Sequence, residues 1–124
     1  LVYYKKGKVR WAIDKLKYVV QREPSNIEAL VYLGKFLEEV GEEKKAMWCF
    51  ERARELNPQS AILHRYEGEA FLRRYIRTKQ PDALKKAIYD LSVAYKISYN
   101  KEVVEYLTTA YILAMRYDEA IKIL

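Results

Sequence analysis

Residues that could carry catalytic or metal chemistry are scarce in this sequence. It contains a single cysteine, which excludes an internal disulfide framework, and a single histidine. Its four glycines are dispersed, so no glycine-rich loop is present that could cradle a phosphate group. Because catalysis requires several convergent groups, we predict that the protein is not an enzyme and that it holds no metal ion and no cofactor.

The two most reactive side chains are predicted to serve packing. Cys49 adjoins Phe50 on a predicted helix and has no histidine beside it in the pattern, so we interpret it as a packed thiol. We interpret His64 as a residue that packs between helices.

Long apolar runs are also missing. No stretch of eighteen apolar residues occurs, which excludes an obvious membrane-spanning helix, and no secretory signal pattern opens the chain. We therefore expect an intracellular, cytoplasmic protein. The net charge of +6 permits contact with nucleic acid or with an acidic partner, but it does not require either.

The few glycines and prolines that are present recur at a fixed interval. Pro58 follows Pro24 by 34 residues, and Gly68 follows Gly34 by the same distance. Apolar residues have helical spacing throughout. The pattern predicts a helix over 27–40 that begins after the N-cap Asn26 and ends at Gly41, and a second helix over 42–56.

Within one period, small residues are spaced so that two helices can approach closely, and large residues fill the groove beside them. In order, they are Leu30, Leu33, Gly34 and Leu37, then Ala46, Phe50 and Ala53, and finally Pro58. This arrangement resembles the tetratricopeptide repeat (TPR), a 34-residue helical hairpin. The resemblance implies an all-α fold, a right-handed α-solenoid of antiparallel helix pairs with two complete and two partial repeats.

The resemblance covers the whole chain as a single repeat domain. It implies a partial repeat at 1–26, repeats at 27–60 and 61–100, and a partial repeat at 101–124. The second-helix positions of the third repeat are displaced by 41 residues instead of 34, so we expect an insertion near 75–81. Because the sequence starts and stops inside a repeat, we expect it to be part of a larger repeat protein.

In the family that the sequence resembles, the first helix of each repeat lines a concave groove. The sixth repeat position is a tyrosine three times, at Tyr32, Tyr66 and Tyr106. Either these rings grip an extended peptide or partner helix, or they pack on the adjacent helix and present little surface. The predicted groove residues are Tyr32, Lys35, Glu39, Arg65, Tyr66, Glu69, Arg73, Tyr106 and Thr109.

A basic segment surrounds the predicted insertion. Its side chains could contact phosphates or an acidic partner, or they could form a solvated face that covers apolar surface. The predicted basic rim consists of Arg74, Arg77, Lys79, Lys85 and Lys86.

Three functions follow from these features. The first is a protein-interaction scaffold that binds a peptide or partner helix in the groove. The second is an association with nucleic acid or an acidic partner through the basic rim. The third is homo-oligomeric assembly through the open repeat ends, "LVYY" and "AIKIL", since repeat arrays normally require capping repeats.

Overall fold

The computed structural model describes the backbone of residues 2–124 and the side chains of residues 7–124. These residues form helices and turns without any strand, which confirms the predicted all-α class. The helices are α1 (Val2–Arg22), α2 (Ile27–Glu39), α3 (Glu43–Leu56), α4 (Ala61–Thr78), α5 (Pro81–Ile97), α6 (Lys101–Leu113) and α7 (Tyr117–Lys122). Within residues 2–124, every helix is too short or too polar to span a lipid bilayer.

Helices α2, α4 and α6 begin in the same way, with a polar side chain that caps the first turn. The Asn26 Oδ1 accepts a hydrogen bond from the Ala29 N–H at 3.0 Å, as predicted, and the Ser60 Oγ accepts one from Leu63 at 3.2 Å. At α6, the Asn100 Oδ1 accepts two backbone N–H bonds, at 2.9 and 3.2 Å. These caps satisfy amides that have no partner inside the helix, and so they define where each helix starts.

The helix ends also depend on local backbone chemistry. Gly41 has a φ of +86°, which confirms that it ends α2, because glycine enters the left-handed region at little cost. Lys79, with a φ of +61°, ends α4, and Pro81 opens α5 two residues later. Residues 75–78 of the predicted insertion lie in α4, which has 18 residues against 13 in α2, and Pro81, the last residue of the predicted insertion, opens α5.

The chain divides into two compact units, and residues 1–59 form the first. Here α2 packs on both α1 and α3. Gly34 marks the closest approach of α2 and α3, since a Cβ atom at this position would lie 2.8 Å from the Phe50 Cε1. The Phe50 ring is fully buried, so the glycine creates the space that the ring fills.

Residues 60–124 form the second unit, in which each helix from α4 to α7 packs on the next. Its core joins Leu72 of α4 and Leu91 of α5 to Leu107 of α6. Gly68 repeats the role of Gly34, because a Cβ atom there would lie 2.8 Å from the Leu91 Cγ.

Candidate functional site

In the second unit, the first helices of two predicted repeats are joined through groove residues. The Tyr106 hydroxyl of α6 donates to the Glu69 Oε1 of α4 at 3.0 Å, and Arg73 donates to the same oxygen at 2.9 Å. One turn earlier, Arg65 of α4 donates to Glu102 of α6. The structure therefore joins three of the predicted groove residues, Glu69, Arg73 and Tyr106, in one polar network, and it pairs a fourth, Arg65, with Glu102.

The network buries the carboxylate of Glu69 and raises the pKa of Tyr106. Glu69 is buried, with 4% of its surface exposed, although it carries a carboxylate. Burial raises the pKa of Tyr106, and the negative charge and hydrogen bond of Glu69 raise it further. Tyr106 therefore stays a hydrogen-bond donor, which holds the Glu69 carboxylate together with Arg73.

The other two groove residues of this unit differ in exposure. Tyr66 is 9% exposed, and the Arg65 guanidinium lies over its ring at 4.8 Å from the Cζ to the ring centroid. Tyr66 therefore offers little surface to a ligand. Thr109 is exposed, but its hydroxyl donates to the backbone carbonyl of Glu105 at 2.9 Å.

The remaining predicted groove residues stand on α2, in the first unit. Tyr32 is half-buried there. The Lys35 Nζ lies 3.8 Å from a carboxylate oxygen of Glu39 and 5.1 Å from the centroid of the Phe36 ring. The lysine is thus stabilised within its own helix by an (i, i+4) ion pair.

An open cavity of about 230 Å³ lies among α4, α5 and α6 of the second unit. Aliphatic side chains form much of its wall, and three polar side chains contribute the rest. The lining residues are Ala61, Ile62, Arg65, Ala94, Ser98, Asn100 and Val103. Through this cavity, Ile62 and Val103 join the surface near the Arg65–Glu102 pair. The sequence pattern did not identify the cavity.

Two members of the predicted basic rim lie against aromatic rings. The Arg74 guanidinium lies over the Phe71 ring at 5.0 Å, and the Lys79 ammonium lies 5.6 Å from the Tyr75 centroid. Such cations cover aromatic surface while their charged ends remain near water. The more exposed members of the rim are Arg77, Lys79 and Lys85.

Lys86 is directed toward a buried acidic cluster that sequence reasoning missed. Its Nζ lies 3.8 Å from the Glu67 Oε1 and 3.7 Å from the Asp90 Oδ1. The His64 Nδ1 lies 2.9 Å from the same Asp90 oxygen. His64, Glu67 and Asp90 are 4%, 0% and 0% exposed, so three ionisable groups meet inside the second unit.

The signal for this cluster was present in the sequence as a departure from the repeat pattern. His64 and Glu67 occupy positions where the preceding repeat has Leu30 and Leu33. A polar pair at core positions of one helix requires partners on the facing helix. Identifying Asp90 as that partner required the packing of α5 on α4.

Cys49 has the environment expected for a packed thiol. It is 2% exposed, and burial raises its pKa from 9.0 to about 11. The thiol is thus protonated at neutral pH and is a poor nucleophile and metal ligand.

Comparison with known proteins identifies the fold. No family model matches the sequence, and no curated protein matches it. A crystal structure of MamA, a TPR-containing protein, superposes with a TM-score of 0.71 and 24% identity, over 97% of this chain and 67% of that chain. A second MamA crystal structure, also 24% identical, has a TM-score of 0.47 over 97% and 81% of the two chains. The first of these similarities confirms that the chain has the TPR-like helical fold expected from its repeat pattern.

Proposed function

We propose that this protein is a non-catalytic interaction scaffold that binds a peptide or partner helix on the surface formed by α4 and α6. The observation that carries the proposal is the cavity beside the Arg65–Glu102 pair. It lies at the N-terminal ends of both helices, where Ala61 of α4 and Val103 of α6 contribute to its wall.

The cavity has the composition of a site for one apolar side chain of a ligand. Ile62, Ala94 and Val103 supply apolar wall, and Ser98 and Asn100 supply polar atoms. Small sites of this kind combine a mainly apolar surface with a few polar groups that orient the ligand. If an apolar side chain of the ligand occupied the cavity, the backbone of the ligand would lie beside Arg65.

The charges on this surface favour a protein ligand over a nucleic acid. Arg65 is paired with Glu102, and Arg73 is paired with Glu69. A phosphate backbone binds where several cations are available to neutralise it. Both arginines already pair with a carboxylate. The surface therefore suits a ligand that binds through complementary shape and apolar contact.

We would test the proposal with peptides selected from a random displayed library against the full chain. Affinity of a selected peptide would be measured by fluorescence anisotropy for the parent chain and for Ile62→Glu, which places a charge in the cavity. Tyr89→Ala is the matched control, because Tyr89 is 58% exposed and does not line the cavity. Far-UV circular dichroism would confirm that each variant is folded.

The expected result is a loss of affinity of at least about tenfold for Ile62→Glu, with the control within about twofold of the parent, since central apolar anchors dominate such interfaces. Equal binding by the parent and Ile62→Glu would contradict the proposed site. Binding only of polyanionic ligands, with a steep loss of affinity as salt rises, would favour the basic rim instead.

A second candidate function, association of two copies, is favoured by apolar exposure on α6 and the segment after it. Ile112, Met115, Ile121 and Leu124 are 49%, 76%, 69% and 84% exposed. Exposed apolar side chains of this size become favourable interaction sites when a partner covers them. Light scattering across a concentration series would detect a dimer, and Ile121→Glu should abolish it. The other predicted contact, "LVYY", lies outside the residues whose side chains are described.

A further inference from the structure

In contrast to the prediction from the sequence that no metal ion is held, we propose that His64, Glu67 and Asp90 form a binding site for a divalent transition-metal cation such as Zn²⁺, and that the Lys86 ammonium competes with the cation for this site. One potential ligand atom from each of the three residues lies within 4.8 Å of the others. All three residues are buried in the second unit. This site is separate from the cavity proposed to bind a peptide, because none of its residues lines that cavity.

Helix geometry explains why the three residues meet. His64 and Glu67 are three residues apart on α4, so their side chains lie on one face of the helix. Asp90 comes from α5, which approaches α4 closely beside Gly68. A Cβ atom at Gly68 would lie 3.1 Å from the Asp90 Cβ. In di-iron helix bundles, the metal ligands likewise come from a glutamate and a histidine three residues apart on one helix, together with a carboxylate of a facing helix.

The negative charges of the cluster favour a bound cation. Asp90 brings a carboxylate into the protein interior beside Glu67, and a buried charge is costly unless it is well paired. The Lys86 Nζ lies 3.8 and 3.7 Å from their oxygens, beyond the ~3.2 Å typical of a hydrogen bond. Lys86 therefore forms only a loose ion pair with each of the two carboxylates.

One oxygen of Asp90 is the clearest indication of a missing ligand. The Asp90 Oδ2 is buried and has no hydrogen-bond partner among the described residues. The other oxygen, Oδ1, lies 2.9 Å from the His64 Nδ1 and accepts a hydrogen bond from it when that nitrogen carries the ring proton. A buried carboxylate oxygen without a donor is rare in folded proteins, and a bound cation would satisfy it.

The donor set suits a transition metal. Imidazole nitrogen and carboxylate oxygen bind Zn²⁺ at about 2.0–2.2 Å, and three protein ligands can leave a further position for water. The His64 Nδ1 lies 2.9 Å from the Asp90 Oδ1, so a cation bound by both atoms would replace the hydrogen bond between them, and the neutral imidazole would then carry its proton on Nε2. A doubly charged cation would balance both carboxylates. The Lys86 side chain, which is 37% exposed, could then extend into solvent.

The test uses the full chain without an affinity tag, freed of metal with a chelator. Isothermal titration with Zn²⁺ would give stoichiometry and affinity, and Co²⁺ would report imidazole and carboxylate ligation through its visible absorption. The variants are Lys86→Met, which removes the competing charge, and Asp90→Asn and His64→Gln, which remove ligands. Asp82→Asn, an exposed acid on the same helix, is the matched control.

We expect one Zn²⁺ per chain, with an affinity lowered at least about tenfold by Asp90→Asn or His64→Gln and unchanged by Asp82→Asn. Lys86→Met should raise the affinity by about tenfold or more, because it removes a positive charge that lies 3.8 and 3.7 Å from the Glu67 and Asp90 oxygens. Zn²⁺ binding that persists in folded Asp90→Asn and His64→Gln variants would overturn the proposal. If those variants do not fold, absence of stoichiometric binding in both the parent and Lys86→Met would overturn it.

Discussion

The helix pairs α2–α3 and α4–α5 have the same backbone approach but different interiors. In each pair a glycine on the first helix lies against a large side chain of the second, Gly34 against Phe50 and Gly68 against Leu91. All the buried residues of α2 and α3 are apolar apart from the glycine. The interior of α4 and α5 includes carboxylates at Glu67 and Asp90.

The comparison shows which part of the repeat pattern is required for packing. The glycine and the large residue opposite it recur in both pairs because they set the distance between the helices. The positions around them accept charge when the facing helix supplies partners, as α5 does with Asp90 and Lys86. A repeat can therefore acquire a buried polar cluster without losing its fold.

The largest loss of stability should occur when a carboxylate such as that of Glu67 in α4 is placed at the corresponding position of α2. Leu33→Glu puts a carboxylate at a 5% exposed position in a pair whose other buried residues are apolar, and it should cost about 3–5 kcal/mol of unfolding free energy. Both tryptophans, Trp11 and Trp48, belong to the first unit, so urea unfolding followed by their fluorescence reports this loss. The control Lys44→Glu, at an exposed position, should change the midpoint little.

The reverse exchange should stabilise the second unit. The triple variant His64→Leu, Glu67→Leu, Asp90→Cys gives α4 and α5 the residues of α2 and α3. In metal-free buffer we expect a gain of about 1–4 kcal/mol, because replacing a buried ionic cluster by well-packed apolar residues is often stabilising. Urea unfolding followed by far-UV circular dichroism measures the change. A lower midpoint would show that the charged cluster contributes net stability.

Cys49 should make the stability of the first unit depend on alkaline pH. Burial raises its pKa from 9.0 to about 11, so the unfolded chain loses the thiol proton at a lower pH than the folded chain does. The resulting stabilisation is complete below pH 9 and is lost as the pH rises to 11, by about 2–3 kcal/mol at ~1.4 kcal/mol per pKa unit.

The measurement is the difference in urea midpoint between the parent and Cys49→Ala at pH 8 and at pH 10.5, followed by tryptophan fluorescence. Taking the difference cancels the titration of tyrosines and lysines common to both chains. A difference that does not shrink at the higher pH would mean that Cys49 ionises equally in both states.

The smallest effects should come from the helix caps, which both units use alike. Asn26→Ala, Ser60→Ala and Asn100→Ala each remove an acceptor for backbone N–H groups and should each cost about 1 kcal/mol. Thermal unfolding would rank them, with Gln21→Ala as an exposed control. We expect Asn100→Ala to cost the most, because its Oδ1 accepts two bonds.

For the candidate site, the sequence identified residues but not their partners. Glu69 and Tyr106 were both predicted to line a groove, and the structure joins them by a hydrogen bond. Tyr66 has the same predicted repeat position as Tyr106, yet it is 9% exposed while Tyr106 is half-buried. Whether these residues bind a ligand stays a prediction, since periodicity specifies a position in a repeat and leaves the surroundings of each side chain open.

By itself, the sequence determined the features that depend on nearby residues. Asn26, Gly41 and Pro58 mark helix starts and stops, because a cap, a positive φ and a missing amide act within one turn. The 34-residue period, with Gly34 and Phe50 at their spacing, determined the all-α hairpin fold. The tertiary structure decided how Asp90 meets His64, because their distance depends on how α5 is rotated and placed against α4, which the close approach at Gly68 sets.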